Sequence, residues 1–164
     1  MILEDKGQIS GEYLLLTGSL IIIIIMTLSF ISYQEEMNLA MVCARNGVSE
    51  GGLSFQIYPE ESYKDYSNSK EGLLSPYSVD IVNVSYSEVG FDNVYKKEKI
   101  QFKVYAKCSK DLDKKELDSI GDRINYNLRK SIAGSFNTTQ ATNKLYNPVF
   151  SPHYVYTTAN VKWI

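Results

Sequence analysis

Lys6 to Tyr33 reads KGQISGEYLLLTGSLIIIIIMTLSFISY, and the rest of the chain takes its meaning from this stretch. From Tyr13 to Tyr33 there are 21 residues without a charge. As a helix at about 1.5 Å per residue they span roughly 31 Å, enough to cross a bilayer core of about 30 Å. In front of them lie Glu12, the run Gln8-Ile9-Ser10-Gly11, and a charged seven-residue leader, Met1 to Gly7. An ordinary secretory signal has a shorter apolar region with its small-residue cleavage site on the far side. Here the small residue, Gly7, precedes the apolar run, so a cut after it leaves the membrane segment on the mature protein.

This arrangement resembles the class III signal peptide of archaeal type IV pilins. That motif has Gln at the new N-terminus, Ser two residues on and Glu at the fifth position, which are Gln8, Ser10 and Glu12 here, preceded by Lys6 and Gly7. The resemblance covers residues 6 to 33, about a sixth of the chain, and carries a positional condition, since the motif must abut an uncharged 20-mer near the N-terminus. It implies a precursor inserted in the membrane, cut between Gly7 and Gln8 by a prepilin peptidase and then assembled into an extracellular surface filament. The acidic pair Glu4-Asp5 departs from a basic leader and leaves Lys6 and the amino terminus as its positive groups. The resemblance, and not the charge bias, therefore implies a leader inside and a C-terminal region outside.

Glu12 is the residue to which the resemblance assigns assembly. An ionised side chain at the edge of hydrocarbon costs about 2 to 3 kcal/mol and calls for a partner. Cleavage would create a positive amine at Gln8, and the amine of an incoming subunit would pair with Glu12 of one already in the filament, fixing the axial stagger. Within one cut helix, Glu12 would also sit in the first turn, where the helix dipole favours it. The alternative is a solvated carboxylate at the membrane interface. Ser10 and Glu12 do not form a capping box, which needs three residues' separation; peptidase recognition accounts for their spacing.

The 164 residues carry 17 basic and 19 acidic side chains, and loss of the leader leaves 16 and 17, a formal charge of −1. That balance gives no ground for nucleic-acid binding. Residues 51–164 suffice for one small domain. The thirteen tyrosines read as strand formers on a half-buried sheet, with an adhesive aromatic surface as the alternative.

No proline interrupts residues 8–50, so one helix of about 43 residues, roughly 64 Å long, is expected. It is longer than a membrane is thick, so its second half must emerge. An apolar stripe continues through Phe30, Tyr33, Met37, Met41, Ala44 and Val48, with Leu39, Val42 and Cys43 toward the other side. Gly47, Gly51 and Gly52 are read as its stop. The head, 51–164, then offers a strand at Leu53–Tyr58, an acidic and serine-rich loop over 59–77, and strands at Ser78–Ser87 and Lys99–Cys108 joined by a long loop. A helix over Asp111–Ala133 with an apolar face of Leu117, Ile120, Ile124, Leu128 and Ile132, stopped by Gly134, follows. After a loop over 135–152 comes a last strand at His153–Trp163. The fold class is α+β: a long hydrophobic N-terminal helix, a pilin-like spine, followed by a small antiparallel sheet with one packing helix. The organisation is leader 1–7, membrane and assembly helix 8–50 and head 51–164.

Cys43 and Cys108 are the only cysteines. In an exported protein their pairing would close a loop of about 65 residues and stabilise the fold by about 4 kcal/mol in the chain-entropy model; two buried thiols would look the same in sequence. Asn83-Val84-Ser85 and Asn137-Thr138-Thr139 match the N-glycosylation pattern, Asn137 in a loop and Asn83 in a strand where it must face outward. Asp111, Asp113, Glu116 and Asp118 lack the alternation and central glycine of a calcium loop and read as a dipole-favoured helix start. No metal or cofactor is implied. His153 is the sole histidine and no nucleophile or phosphate-loop motif is present, so an enzyme is not expected. The expectation is a structural pilin subunit whose partners are the peptidase, identical or related pilins and, before assembly, membrane lipid. The alternatives are a minor pilin or pseudopilin-like component and a membrane-anchored extracellular binding domain that never polymerises.

Overall fold

The computed structural model describes residues 2–53 and 78–164, with side chains from Ser10 to Gly52 and from Ser78 onward. The expected strand at Leu53–Tyr58 and loop at 59–77 therefore lie outside the described residues, apart from Leu53, which ends a helix. The order is α1 (Ile2–Leu53), β1 (Val79–Asp92), β2 (Lys97–Cys108), α2 (Lys114–Ser135), β3 (Val149–Phe150), β4 (Tyr154–Thr158) and β5 (Lys162–Trp163). The α+β class holds. Contacts divide the chain into two compact units, Met1–Asn38 and Leu39–Ile164, so the boundary falls inside α1 and its last turns belong with the sheet.

Those last turns show why Gly47, Gly51 and Gly52 do not stop the helix, as the sequence reading has it. All three are buried within α1. A Cβ on Gly47 would stand 2.5 Å from the Asn127 carbonyl oxygen and 2.8 Å from Ser131 Cβ, and one on Gly51 would stand 3.2 Å from Ile124 Cα. Gly47 and Gly51 are four apart, on one face, and let the backbones of α1 and α2 meet. Cys43 lies beside Ser135, Gly47 beside Asn127 and Ser131, and Gly51 beside Ile124. The two helices therefore run antiparallel. The buried face is Ala40, Cys43, Ala44, Gly47, Val48 and Gly51, whereas Leu39 and Val42 are exposed; Cys43 thus belongs to the packed face and not to the opposite one.

α2 starts on a capping box: Asp113 accepts from the Glu116 amide at 2.7 Å and the Glu116 carboxylate accepts from the Asp113 amide at 3.0 Å. Its apolar face of Ile120, Ile124, Leu128 and Ile132 is buried. Gly134 lies within the helix, which ends one residue later.

β1 and β2 form an antiparallel pair from Val79↔Cys108 to Asp92↔Lys97, with irregularities between Ile81 and Asn83 and between Glu88 and Gly90. The long loop expected between them is a tight turn at 93–96, held by Asp92, whose carboxylate accepts from the Val94 and Tyr95 amides. Strand pattern continues through Glu88–Asp92 because bulges absorb the residues that break alternation.

The sheet is mixed, which corrects the antiparallel expectation. β4 and β5 both pair in parallel with β2, and β3 pairs antiparallel with β4. A parallel pair requires a crossover, and α2 supplies it between β2 and β4. The segment expected as one strand, His153–Trp163, is two. Phe102 pairs with Thr158 and Tyr105 with Lys162, so one extra residue enters on the β4–β5 side and Ala159–Val161 bulges out.

One sheet face is the core. Ile100, Phe102, Val104 and Ala106 of β2 are buried, Gly52 approaches the Val79 carbonyl and the Ile81 side chain, and α2 packs on β3 and β4. Phe102 and Phe136 lie against Tyr156, with ring centroids 5.8 and 5.9 Å away. These tyrosine and phenylalanine rings fill the space between helix and sheet. The loop over 136–148 is anchored by Arg129, whose guanidinium donates to the Leu145 carbonyl and the Thr158 hydroxyl. Burial lowers the Arg129 pKa from its ordinary value, against the opposing pull of Asp122.

Candidate functional site

The first unit is a helix whose apolar side chains stay outside. Every large hydrophobic residue from Tyr13 to Tyr33 is exposed, Tyr13 at 69% and Met26 at 68%. None of its most apolar 18-residue window is buried, and the helix is long and apolar enough to cross a membrane. A soluble helix hides such a surface.

Four of the five Ser and Thr hydroxyls in this stretch, all but Ser32, are satisfied within the helix. Thr17 donates to Tyr13 O at 2.9 Å, Ser19 to Leu16 O at 2.8 Å, Thr27 to Ile23 O at 2.8 Å and Ser29 to Ile25 O at 3.0 Å. Back-bonding of this kind removes the need for water at each hydroxyl. Gly11 and Gly18 have open space where a side chain would stand, so both positions are free for close approach by another helix.

Ser10 and Glu12 are exposed on the same helix. The helix starts at Ile2 and its backbone passes through Gly7 and Gln8 without a break; the side chains of Lys6, Gly7 and Gln8 lie outside the described residues. Glu12 is therefore ten residues past the helix start. It forms no hydrogen bond or ion pair with the described residues.

The structure leaves Cys43 and Cys108 as free thiols, so the disulfide is not formed. The geometry explains this. Cys108 pairs across the sheet with Val79, next to Gly52. Cys43 lies nine residues back along α1, roughly 13 Å at about 1.5 Å per residue, beyond the Cα separation of about 7 Å that a disulfide tolerates. Instead Cys43 Sγ is 2.8 Å from Ser135 Oγ. Because Ser135 gives its single hydroxyl proton to the Ser131 carbonyl, the thiol is the donor.

Asn83 is exposed at the first β1 irregularity, and Asn137 is exposed in the loop after α2, so each side chain reaches solvent. Asp113 and Glu116 are committed to the capping box, and Asp111 and Asp118 are exposed. Among the described residues no group of three or more His, Cys, Asp or Glu is placed to hold a metal ion. His153 is half-buried before β4, its carbonyl accepting from the Glu98 amide.

Sequence reasoning misses two elements. One is the Gly47–Gly51 contact surface, whose signal was the four-residue spacing of glycines on a helical stripe. The other is the buried Arg129, for which the only signal was its place among apolar residues at helical spacing. The chain matches no family model, no curated protein and no solved structure.

Proposed function

We propose that this chain is a pilin-like subunit: a precursor cut between Gly7 and Gln8 by a prepilin peptidase, held in lipid by α1 and polymerised through that helix into a surface filament. The observation that carries this reading is the apolar run from Tyr13 to Tyr33, whose large hydrophobic side chains are all exposed and four of whose five Ser and Thr hydroxyls bond to the helix backbone. A surface with so little polar demand suits lipid first and a bundle of like helices afterwards. Gly11 and Gly18 supply places where such helices approach closely. Glu12, exposed and unpaired with the described residues, is the group that would meet the new Gln8 amine of a neighbour. No catalytic role belongs to this reading.

Two measurements test it. N-terminal sequencing of the membrane-extracted protein should begin at Gln8; an intact Met1, or a start beyond residue 30, contradicts the scheme. Glu12→Ala should abolish filaments while leaving the protein in the membrane. Unchanged filament yield would exclude the proposed pairing and favour a membrane-anchored binding domain, and scarcity of the chain in purified filaments would mark a minor component.

A further inference from the structure

A groove of about 200 Å³ lies between α2 and the bulged residues Asn160 and Val161, with Leu117 and Trp163 also in its lining. Asp118, Asp122 and Asn125 follow one another at spacings of four and three, so they share a stripe of α2. Gly121 lies in the same stripe, and a Cβ there would stand 3.3 Å from Val161 Cβ. Its missing side chain lets the extra residue of the β4–β5 strand settle onto the helix, and this brings Asn160 into the groove.

Asn125 is only 5% exposed. Its amide nitrogen donates to the Ala159 carbonyl at 2.9 Å, which fixes the orientation of the group, because a flipped amide would set oxygen against oxygen. The Asn125 Oδ1 atom is then buried with no donor. Such an orphan costs about 1–3 kcal/mol, and folded proteins leave few of them. Arg129, one turn further on, is turned instead to the Leu145 carbonyl and the Thr158 hydroxyl. With Asp118, Asp122 and Arg129 counted together, the local charge is negative by one unit.

We propose that this groove is a Ca²⁺ site, with the Asp118 and Asp122 carboxylates and the Asn125 and Asn160 amide oxygens as its side-chain ligands and water completing the shell. Hard oxygen donors without nitrogen or sulfur select such an ion. An irregular set drawn from a helix and a strand bulge suits Ca²⁺, which accepts six to eight ligands in flexible geometry, better than Mg²⁺, which demands a near-ideal octahedron. Two carboxylates and an adjacent guanidinium place the affinity in the weak range, with a Kd of about 10⁻⁴ to 10⁻³ M. The site does not depend on how α1 is used.

Trp163 is the only tryptophan of the chain and lines the groove, which gives a direct readout with the full-length protein in detergent. Tb³⁺, an oxygen-seeking stand-in for Ca²⁺, should show emission sensitised by indole excitation, and Ca²⁺ should displace it in the 10⁻⁴ to 10⁻³ M range. Asp118→Asn and Asp122→Asn are isosteric changes at exposed positions, and each should weaken binding by roughly tenfold or more, whereas Asp111→Asn should leave it unchanged. Trp163→Phe should remove the emission yet keep the saturable calorimetric heat of Ca²⁺. Absence of that heat at millimolar Ca²⁺ would overturn the proposal. Sensitised emission that Ca²⁺ fails to displace, or equal weakening by Asp111→Asn, would overturn it as well.

Discussion

Gly47→Ala tests the packing of the second unit, because a single methyl must enter the line where two helix backbones meet. The added Cβ would lie 2.5 Å from the Asn127 carbonyl oxygen, 2.9 Å from that carbonyl carbon and 2.8 Å from Ser131 Cβ. Ordinary contacts need about 3.5 Å or more, so α1 and α2 must separate by the better part of an ångström or shift along each other. Two of the three obstacles are backbone and cannot rotate away. Overpacking of this sort costs about 1–3 kcal/mol, occasionally more, while alanine returns about 1 kcal/mol through its higher helix propensity. The net expectation is a loss of up to about 2 kcal/mol, or as much as roughly 8 °C in Tm for a unit of this size. Thermal unfolding of the full chain in detergent, followed by the fluorescence of Trp163, reads it. Gly134→Ala is the matched control: it is also inside a helix but has nothing within 4 Å of the added atom, so propensity alone should act and raise stability by about 0.5–1 kcal/mol. If Gly47→Ala proves as stabilising as Gly134→Ala, the helices do not meet as described and the antiparallel pairing is wrong.

Asp113→Ala removes the cap on α2 and leaves the Glu116 amide without its acceptor, so urea unfolding should show a loss of about 1 kcal/mol. Arg129→Met keeps the stem but strands the Leu145 carbonyl and the Thr158 hydroxyl. A loss of about 1–3 kcal/mol is expected in the same assay, and no loss would mean that the guanidinium does not anchor the 136–148 loop. Since Cys43 and Cys108 are separate thiols, a reducing agent should leave Tm unchanged and thiol titration in denaturant should count both; a Tm that falls on reduction would establish a bond between them.

Much of this architecture can be read from the chain, for identifiable reasons. The membrane-capable helix is legible because hydropathy alone decides it over 21 uncharged residues. α2 is legible because its face is local, Leu117 to Ile132 at helical spacing, whereas Asp113 and Glu116 read only as a dipole-favoured start and turn out to form the capping box. The β1–β2 hairpin follows from alternation in neighbouring segments. What fails is what no local pattern encodes. Strand direction depends on where α2 returns the chain, so β4 and β5 are parallel to β2 although their residues would suit either arrangement. Glycine is a poor helix former in isolation, and Gly47, Gly51 and Gly52 therefore read as a stop, but tertiary contact with Ile124, Asn127 and Val79 outweighs propensity. The disulfide expectation rested on compartment and count, and α1's axial offset from the end of β2 defeats it. Ser10 and Glu12 are placed on the helix by the structure, whereas the roles proposed for them concern events between chains.

The boundary inside α1 matters to anyone who would cut the greasy half away to obtain the rest in water. A start at residue 51, where composition changes, would discard Ala40, Cys43, Ala44, Gly47 and Val48 and leave Ile124 and the helix face around Asn127 and Ser131 bare on one side. A start at Leu39 keeps the whole of that clasp. The last four turns of the rod are thus interior masonry, and a soluble fragment must carry them along.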